Sequence, residues 1–421
     1  MNPKPMTSPR GWNSWDCYGA SVDEKTVRAN AEYMAQNLLP YGYDYLVVDI
    51  QWSSPNVKSH EYIPFDSLRM DEYGRLLPAT NRFPSAEGDQ GFKPLSDYVH
   101  SLGLKFGIHI MRGIPRQAVS ENCKILGSTH TAKEIAKTSS ICAWNTDMYG
   151  VDDTKKGAKE YYDSLFALYS EWGVDFVKVD DICRELPHEE GELILLANSL
   201  HAAPRDMILS LSPGPALIEK AELYKEYANM WRITDDFWDN WDQLYDMFER
   251  ARVWSIHAGN GHFPDADMLP VGPIRQDYGK ENHTNFTRDE QITMMSLWCI
   301  MRAPLIIGGD MTGFDDFTMG LLTNERILDM HQHARHSHEV FDKSLNGQEH
   351  ILWTAVSAKG GQYAAIFNAS DTDSDFMLDL SELEIYSPVY VTDLWTGEHI
   401  ETENHIPCHI KSHGARVFLL T

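Results

Sequence analysis

The chain repeats one unit, in which an amphipathic helical stretch, a glycine and a short apolar strand follow each other. In the clearest copy, apolar residues recur at helical spacing over 159–172, and Gly173 can then adopt the left-handed conformation that ends many helices. The stretch 176–179 follows, with apolar side chains on both faces, as in a parallel strand that is covered on both sides. The unit predicts a buried β-strand that is preceded by a helix.

Seven further segments carry the pattern of a buried strand. They are Pro9–Trp15, Tyr45–Val48, Lys105–Ile110, Met207–Leu211, Met230–Ile233, the region ending in Pro264–Leu269, and Pro304–Gly309. Ser21 and Glu24 have the spacing of a capping box and predict the start of the first long helix. Strands that alternate with helices indicate a parallel sheet, and eight of them favour an α/β fold closed into a (β/α)8 TIM barrel.

From about Gln348 the pattern changes to short alternating strands between glycine or polar turns. The predicted strands are Ile351–Val356, Tyr363–Asn368, Phe376–Leu380, Val389–Leu394 and Ala415–Leu420. Such a series is typical of a small antiparallel β-sandwich. We therefore predict two domains, a barrel over residues 1–335 and a C-terminal antiparallel β-domain over residues 336–421.

Charged residues appear abruptly where two predicted strands end. Lys178 and Asp180 close one strand, and Arg232 and Asp236 lie at the end of another. Either pair alone is explained equally well as a structural ion pair at a strand end. Together they place two carboxylates, each beside a cation, at the end of a barrel where catalytic groups gather. Such carboxylates can hold different pKa values and divide the roles of nucleophile and proton donor, as glycoside hydrolysis requires.

Over essentially its whole length the chain resembles glycoside hydrolase family 27, the family of α-galactosidases and α-N-acetylgalactosaminidases. The motifs that carry the resemblance are GWNSW at 11–15, VVD at 47–49, KFGIHI at 105–110, VKVD at 177–180, WRITDD at 231–236, PDADML at 264–269, MRAPLIIGGD at 301–310 and DLWTG at 393–397. The resemblance implies that Asp180 is the nucleophile and Asp236 the acid and base of a retaining reaction. It also implies a sugar subsite formed by Trp15, Asp49, His109, Lys178, Ser212, Arg232 and Asp267.

Among the departures from the family pattern, three concern the sugar subsite. Asp49 is followed by Ile50 where the family usually has a second aspartate, so one hydroxyl contact to galactose is lost or replaced. His109 stands where a tyrosine is common. Ser212 begins a segment where α-galactosidases tend to carry a glutamate and a tyrosine that crowd carbon 2 of the sugar. Small residues there leave room for an acetamido group.

The sequence thus predicts a retaining exo-α-glycosidase for a terminal galactose-type sugar of an oligosaccharide or glycoconjugate. α-N-Acetylgalactosaminides and α-galactosides are equal candidates, and β-L-arabinopyranosides, known substrates in the same family, are the alternative. Two other classes stay open. One is a metal-dependent sugar isomerase on the same fold, with Asp49, His109, Asp180 and Asp267 as ligands. The other is a sugar-binding protein without activity.

Composition narrows the partners further. The 421 residues carry a net charge of −26, which repels phosphate backbones and anionic membranes, so neither nucleic acid nor a membrane is expected as a partner. The nucleotide-binding glycine motifs do not occur, which disfavours nucleotide cofactors, and the predicted glycosidase reaction is expected to use no metal or organic cofactor. The six cysteines lack paired spacing and predict free thiols. We expect a cytoplasmic protein, although a trimmed secreted form fits the sequence as well, and an oligomer is compatible with it.

Overall fold

The computed structural model describes residues 7–184, 189–278, 282–345 and 347–421. The strands within these residues, numbered along the chain, are β1 (Arg10–Asn13), β2 (Tyr45–Val48), β3 (Lys105–Met111), β4 (Ile114–Pro115), β5 (Ala136–Ile141), β6 (Met148–Val151), β7 (Phe176–Asp180), β8 (Ile208–Leu211), β9 (Met230–Arg232), β10 (Phe263–Asp265), β11 (Leu305–Ile307), β12 (Ala334–Leu345), β13 (Gln348–Ser357), β14 (Gln362–Asn368), β15 (Ser374–Asp379), β16 (Val389–Asp393), β17 (His399–Thr402), β18 (His405–Ile410) and β19 (Ala415–Leu420).

The α-helices of the same residues are α1 (Trp15–Tyr18), α2 (Glu24–Asn37), α3 (Lys93–Ser101), α4 (Arg116–Glu121), α5 (Ala132–Ile135), α6 (Ala158–Trp172), α7 (Glu190–His201), α8 (Ala221–Tyr227), α9 (Trp241–Trp254), α10 (Arg288–Met301), α11 (Asp316–Leu322) and α12 (Glu325–His333). None of these helices combines the length and the apolar character that crossing a bilayer requires. All six cysteines lie in the described part of the chain and are free thiols, as predicted.

The first unit is the predicted TIM barrel. Eight strands pair in parallel in the order β10-β9-β8-β7-β3-β2-β1-β11. The ring closes just beyond β10, where Leu269 forms a parallel bridge with Ile307. At this bridge the amide of Leu269 donates to the carbonyl of Ile306 at 2.7 Å, and the amide of Gly308 donates to the carbonyl of Leu269 at 2.9 Å. The carboxyl ends of all eight strands therefore surround one opening.

The helices follow the predicted units, with one correction at α2. α6 ends at Gly173, whose φ of 80° is the left-handed conformation expected there. The prediction of a capping box at Ser21 and Glu24 is wrong. A short 3-10 turn holds Ser21 against the carbonyl of Tyr18, so the helix begins later. Asp23 is its N-cap and forms the capping box with Thr26 instead.

The second unit is an antiparallel β-domain, as predicted. It contains a six-stranded sheet in the order β12-β13-β14-β19-β16-β17 and a separate pair, β15-β18. The sequence missed β12, β17 and β18, because polar and histidine residues interrupt their apolar alternation. Trp353, Phe367 and Val417 of this domain belong to the same buried cluster as Trp254 and Trp298 of the barrel helices, so the two units share a continuous apolar contact.

Candidate active site

Asp180 lies at the carboxyl end of β7, where strand pairing places His109 of β3 beside Lys178. The Nε2 of His109 is 3.1 Å from one oxygen of Asp180, and the amide of Asp181 donates to the other at 3.1 Å. Burial acts to raise the pKa of Asp180, but the hydrogen bond from His109 and the positive charges of His109, Lys178 and Arg232 lower it well below its usual range. Asp180 is therefore an ionised carboxylate at neutral pH.

A second ion pair forms between Asp49, which follows β2, and Lys178. The Nζ of Lys178 is 2.9 Å from Asp49 Oδ2, and the side-chain amide of Asn13 donates to the same oxygen at 2.8 Å. The amide of Ile50 donates to the other oxygen, and the amide of Asp49 donates to the hydroxyl of Ser14. Burial acts to raise the pKa of Asp49, yet the charge of Lys178 lowers it. The sequence indicated Asp49 and Lys178. It did not indicate Asn13 and Ser14 of the GWNSW motif, which hydrogen-bond to Asp49.

Arg232, at the end of β9, joins two more carboxylates. Its Nη2 is 2.9 Å from Asp236 Oδ1, and its Nη1 is 2.8 Å from Asp267 Oδ1. The amide of Phe237 donates to the other oxygen of Asp267 at 2.8 Å. Burial raises the pKa of Asp267, against the lowering effect of Arg232. The Asp236 side chain is 55% exposed, whereas that of Asp180 is 13% exposed. Of the two predicted catalytic carboxylates, Asp236 is therefore the more open.

A cleft of about 570 Å³ opens beside Asp236 and is walled by aromatic rings. The rings are Trp15, His60, Tyr62, Trp144, Trp238 and Tyr278. On one wall Trp15 stacks on Tyr62 with ring centroids 5.2 Å apart, and Trp144 lies 5.5 Å from Tyr62. Aromatic faces pack well against the C–H faces of sugars, so the cleft offers a binding surface next to an accessible carboxylate.

Another part of the cleft lining, Trp238, lies beside an ion pair. Arg275 lies over the ring of Trp238, with Cζ 5.7 Å from the ring centre, and its Nη1 is 2.7 Å from Asp239 Oδ1. Trp238 follows Asp236 by two residues, so its place beside the predicted acid could have been inferred from the sequence. Tyr62 and Trp144 come from long connections outside the barrel strands, and no sequence pattern pointed to them.

Ile50 follows Asp49 and belongs to a buried apolar cluster. Its side chain is buried in a cluster with Met111, Cys142 and Met148. The partly buried rings of Trp15, Tyr62 and Trp144 pack against this cluster. The position that departs most clearly from the family pattern therefore adjoins the ring-lined side of the site.

Ser212 is a predicted sugar contact that lies inside the barrel. It is buried inside the barrel and lines a cavity of only about 20 Å³ together with Lys178, Arg232 and Asp267. Its hydroxyl makes one long contact, 3.5 Å, to the carbonyl of Val179. Ser212 is thus next to the charged residues but not on the open cleft, and its contact to carbon 2 stays a prediction.

The carboxylates suggested as metal ligands have other partners. Asp49 is paired with Lys178 and Asp267 with Arg232, and Asp180 accepts from His109. Among the residues that the structure describes, no three histidine, cysteine or carboxylate side chains are grouped as a metal ion requires. The ion pairs of Asp49 and Asp267 count against the isomerase interpretation.

Two family models match most of the chain. Residues 7–156 and 154–333 match the family model of alpha galactosidase A, and residues 347–420 match that of the alpha galactosidase C-terminal beta sandwich domain. The α-galactosidase of Cyamopsis tetragonoloba is 27% identical over 99% of this chain and 86% of its own length.

Two solved structures are more similar in sequence. The complex of a family 27 β-L-arabinopyranosidase from Geobacillus stearothermophilus with arabinose is 50% identical, with a TM-score of 0.95, over 99% of this chain and 97% of that one. A candidate α-N-acetylgalactosaminidase from Bacillus halodurans C-125 is 49% identical, with a TM-score of 0.88, over 100% of this chain and 99% of that one.

Proposed function

The chain belongs to glycoside hydrolase family 27, the α-galactosidase family, and on that premise we propose that it is a retaining exo-glycosidase that releases terminal β-L-arabinopyranosyl residues. The sequence alone favoured α-N-acetylgalactosaminides and α-galactosides. The packing of Ile50 leads us to place the β-L-arabinopyranosides first. The similarity to a β-L-arabinopyranosidase supports this choice.

The argument rests on the difference between the two sugars. β-L-Arabinopyranose has the ring configuration of α-D-galactopyranose but lacks the hydroxymethyl group of carbon 6. A second aspartate after Asp49 would supply a charged acceptor for a sugar hydroxyl, whereas Ile50 offers only an apolar surface. A polar group that is buried without a partner costs free energy, so this wall disfavours a sugar with the extra hydroxyl.

The charged half of the site supports a double-displacement reaction. Asp180 is ionised and would attack the anomeric carbon, while Asp236 would protonate the leaving oxygen. Asp236 would then remove a proton from water as that water attacks the glycosyl-aspartate, which releases the sugar with its configuration retained. Lys178 and Asp49 would bind ring hydroxyls, and Arg232 would orient Asp236. No step needs a metal ion or a cofactor.

The second candidate substrate is the α-N-acetylgalactosaminide. The small side chain of Ser212 favours it, because a glutamate or tyrosine there would crowd carbon 2. The 49% identical neighbour from Bacillus halodurans is consistent with the same activity. This sugar keeps the hydroxymethyl group, so it would place a hydroxyl against Ile50 as galactose would, and we therefore rank it second.

Three nitrophenyl glycosides with one leaving group distinguish these substrates. We expect kcat/KM on the β-L-arabinopyranoside to exceed that on the α-galactoside and the α-N-acetylgalactosaminide by on the order of 10-fold to 100-fold, the range that one missing or extra group gives. A highest value on either of the other two glycosides would contradict the proposal. The same assay with a chelator separates the isomerase class, and the Asp180→Ala variant measures the background of a protein that only binds sugar.

A further inference from the structure

A second pocket lies at the opposite end of the barrel, between the segments that precede β10 and β11 and the first residues of β12. Its volume is about 710 Å³. The polar and charged residues that line it include Ser255, Asn260, Arg302, Arg335, His336 and His338. None of the described residues on its lining is an aspartate or a glutamate. This is unusual in a chain that carries a net charge of −26.

Arg302 is the residue that needs explanation. It belongs to the MRAPL motif, and it is 4% exposed. Its Nε is buried without a hydrogen-bond partner, and no carboxylate in the described part of the chain pairs with its guanidinium. The ring of Phe263 lies 5.5 Å from its Cζ and covers one face. Arginines are almost never buried this deeply unless they are paired, because an uncompensated buried charge is costly.

The residues around Arg302 do not lower the free-energy cost of burying its charge. Burial and the neighbouring charge of Arg335 lower the pKa of Arg302 to about 10. Arg335 uses its Nη1 on the carbonyls of Gln332 and Ala334 and so stays within the lining. Two cations that face one pocket repel each other, and an anion between them would remove the repulsion.

The fold builds this pocket from three constrained backbone segments. Arg302 caps α10 with a φ of 62°, and a tight turn from Gly259 to His262 brings backbone against its guanidinium. A Cβ atom at Gly259 would lie 3.3 Å from Arg302 Nη1. On the third side, a bulge in β12 between Arg335 and His338 turns His336 outward with a φ of 57°. Bulges of this kind re-aim side chains.

We propose that this pocket binds a phosphate group, either as free phosphate or as part of a small phosphorylated metabolite, with the guanidinium of Arg302 as its principal ligand. A guanidinium is a planar fork of donors that matches the oxygens of phosphate. Arg335, His336 and His338 surround the same space and supply further donors. The site lies away from Asp180 and Asp236, so it does not depend on the function proposed above.

Isothermal titration of the full chain at pH 7 and low salt tests this proposal, with inorganic phosphate, ribose 5-phosphate and ribose as probes. Saturable binding of phosphate, of ribose 5-phosphate or of both, with none of ribose, is the expected result. Equal affinities would identify the free ion as the occupant, and tighter binding of the ester would identify a phosphorylated metabolite. Absence of saturable binding of both phosphates would overturn the proposal.

Matched variants locate the binding. Arg302→Gln should weaken phosphate binding by about 10-fold or more, because it removes a charge-assisted hydrogen-bond donor. Arg252→Gln removes the same charge from an exposed pair with Glu249 and should bind as the wild type does. If Arg302→Gln does not fold, Arg335→Gln carries the test and should also weaken binding. Wild-type affinity in the pocket variants, or a loss in Arg252→Gln alone, would refute the site.

Discussion

The two ends of the barrel treat buried charge in opposite ways. At the carboxyl ends of the strands, the buried cations beside the predicted catalytic acids have carboxylate partners: Lys178 has Asp49, and Arg232 has Asp236 and Asp267. At the amino ends, Arg10 and Arg302 are as deeply buried, but neither has a carboxylate partner in the described part of the chain. The carboxyl ends therefore hold the ionised acids that catalysis needs. At the amino ends, Arg10 and Arg302 are buried with no acid beside them.

Arg10 shows what such a cation does for the barrel itself. Its guanidinium donates to the ring of His331 and to the carbonyls of Tyr41 and Leu328, so one side chain joins segments from both ends of the barrel sequence. His331 in turn donates from Nε2 to the carbonyl of Ala303 at 2.7 Å. Changes at this end should alter stability and leave turnover intact, and changes at the other end should do the reverse.

The largest effect is expected for Asp180→Ala. Because this variant has no nucleophile, kcat should fall by roughly 10⁴-fold or more, while the melting temperature changes little. Azide should restore part of the activity by entering the vacated space, and the product should be a glycosyl azide of inverted configuration, which NMR can establish. An azide product of retained configuration would contradict the role of Asp180 as nucleophile. A loss of folding with no azide product would assign Asp180 a structural role instead.

Asp236→Asn should give the next largest effect, and its size should depend on the leaving group. General acid catalysis contributes roughly 10²–10⁴-fold, and it matters least when the leaving group is already acidic. We therefore expect a large loss of kcat/KM on a methyl glycoside and a small loss on a dinitrophenyl glycoside. Asp235→Asn is the matched control, because Asp235 is exposed and pairs with Arg184 instead. Equal losses on both substrates would contradict the role of Asp236.

Ile50→Asp tests whether the apolar side chain at this position selects against the hydroxymethyl group of galactose. A carboxylate at this position can accept a hydrogen bond from the hydroxymethyl group of galactose, and it leaves an unpaired charge when arabinopyranose is bound. The ratio of kcat/KM for the α-galactoside to that for the β-L-arabinopyranoside should rise by on the order of 10²-fold. Ile50→Val keeps the wall apolar and should leave the ratio unchanged. A ratio that does not move in Ile50→Asp would show that this wall does not face carbon 5 of the sugar.

The active end of the barrel was more predictable from sequence than the other end. Short apolar strands that end in charged residues are easy to recognise in a sequence. The strand pattern alone therefore predicted that one opening of the barrel would hold Asp49, Lys178, Asp180, Arg232 and Asp236. The strand ends fix where these side chains start, but the sequence did not show that Lys178 pairs with Asp49.

Three features could not be predicted, for a common physical reason. The aromatic walls at Tyr62 and Trp144, the bulge that shapes β12 and the isolation of Arg302 all depend on how long connections pack, not on local periodicity. The depth of Ser212 is a further such feature. Its position after a strand was predicted correctly, but no local pattern indicates that it lies below the open cleft.

The smallest effect concerns His331 and the pH dependence of stability at the amino end. Burial and the neighbouring charge of Arg10 lower the pKa of His331 well below that of a free histidine. The unfolded chain therefore takes up a proton near pH 6.5 that the folded chain does not, so this residue destabilises the fold as pH falls below that value. The expected contribution is about 1.4 kcal/mol of unfolding free energy for each pH unit.

His331→Gln removes this titration but keeps an acceptor for Arg10. At pH 8 the variant should be less stable than the wild type, because the shorter amide does not reproduce both contacts of the ring. Urea unfolding followed by circular dichroism at pH 7, 6 and 5 should show the difference narrowing by about 1.4 kcal/mol per unit below pH 6.5. Turnover at pH 7 should match that of the wild type. If the free energies of unfolding of the two proteins change with pH in parallel, His331 takes up its proton in the folded chain as well. The amino end of the barrel would then hold a buried histidine cation beside Arg10.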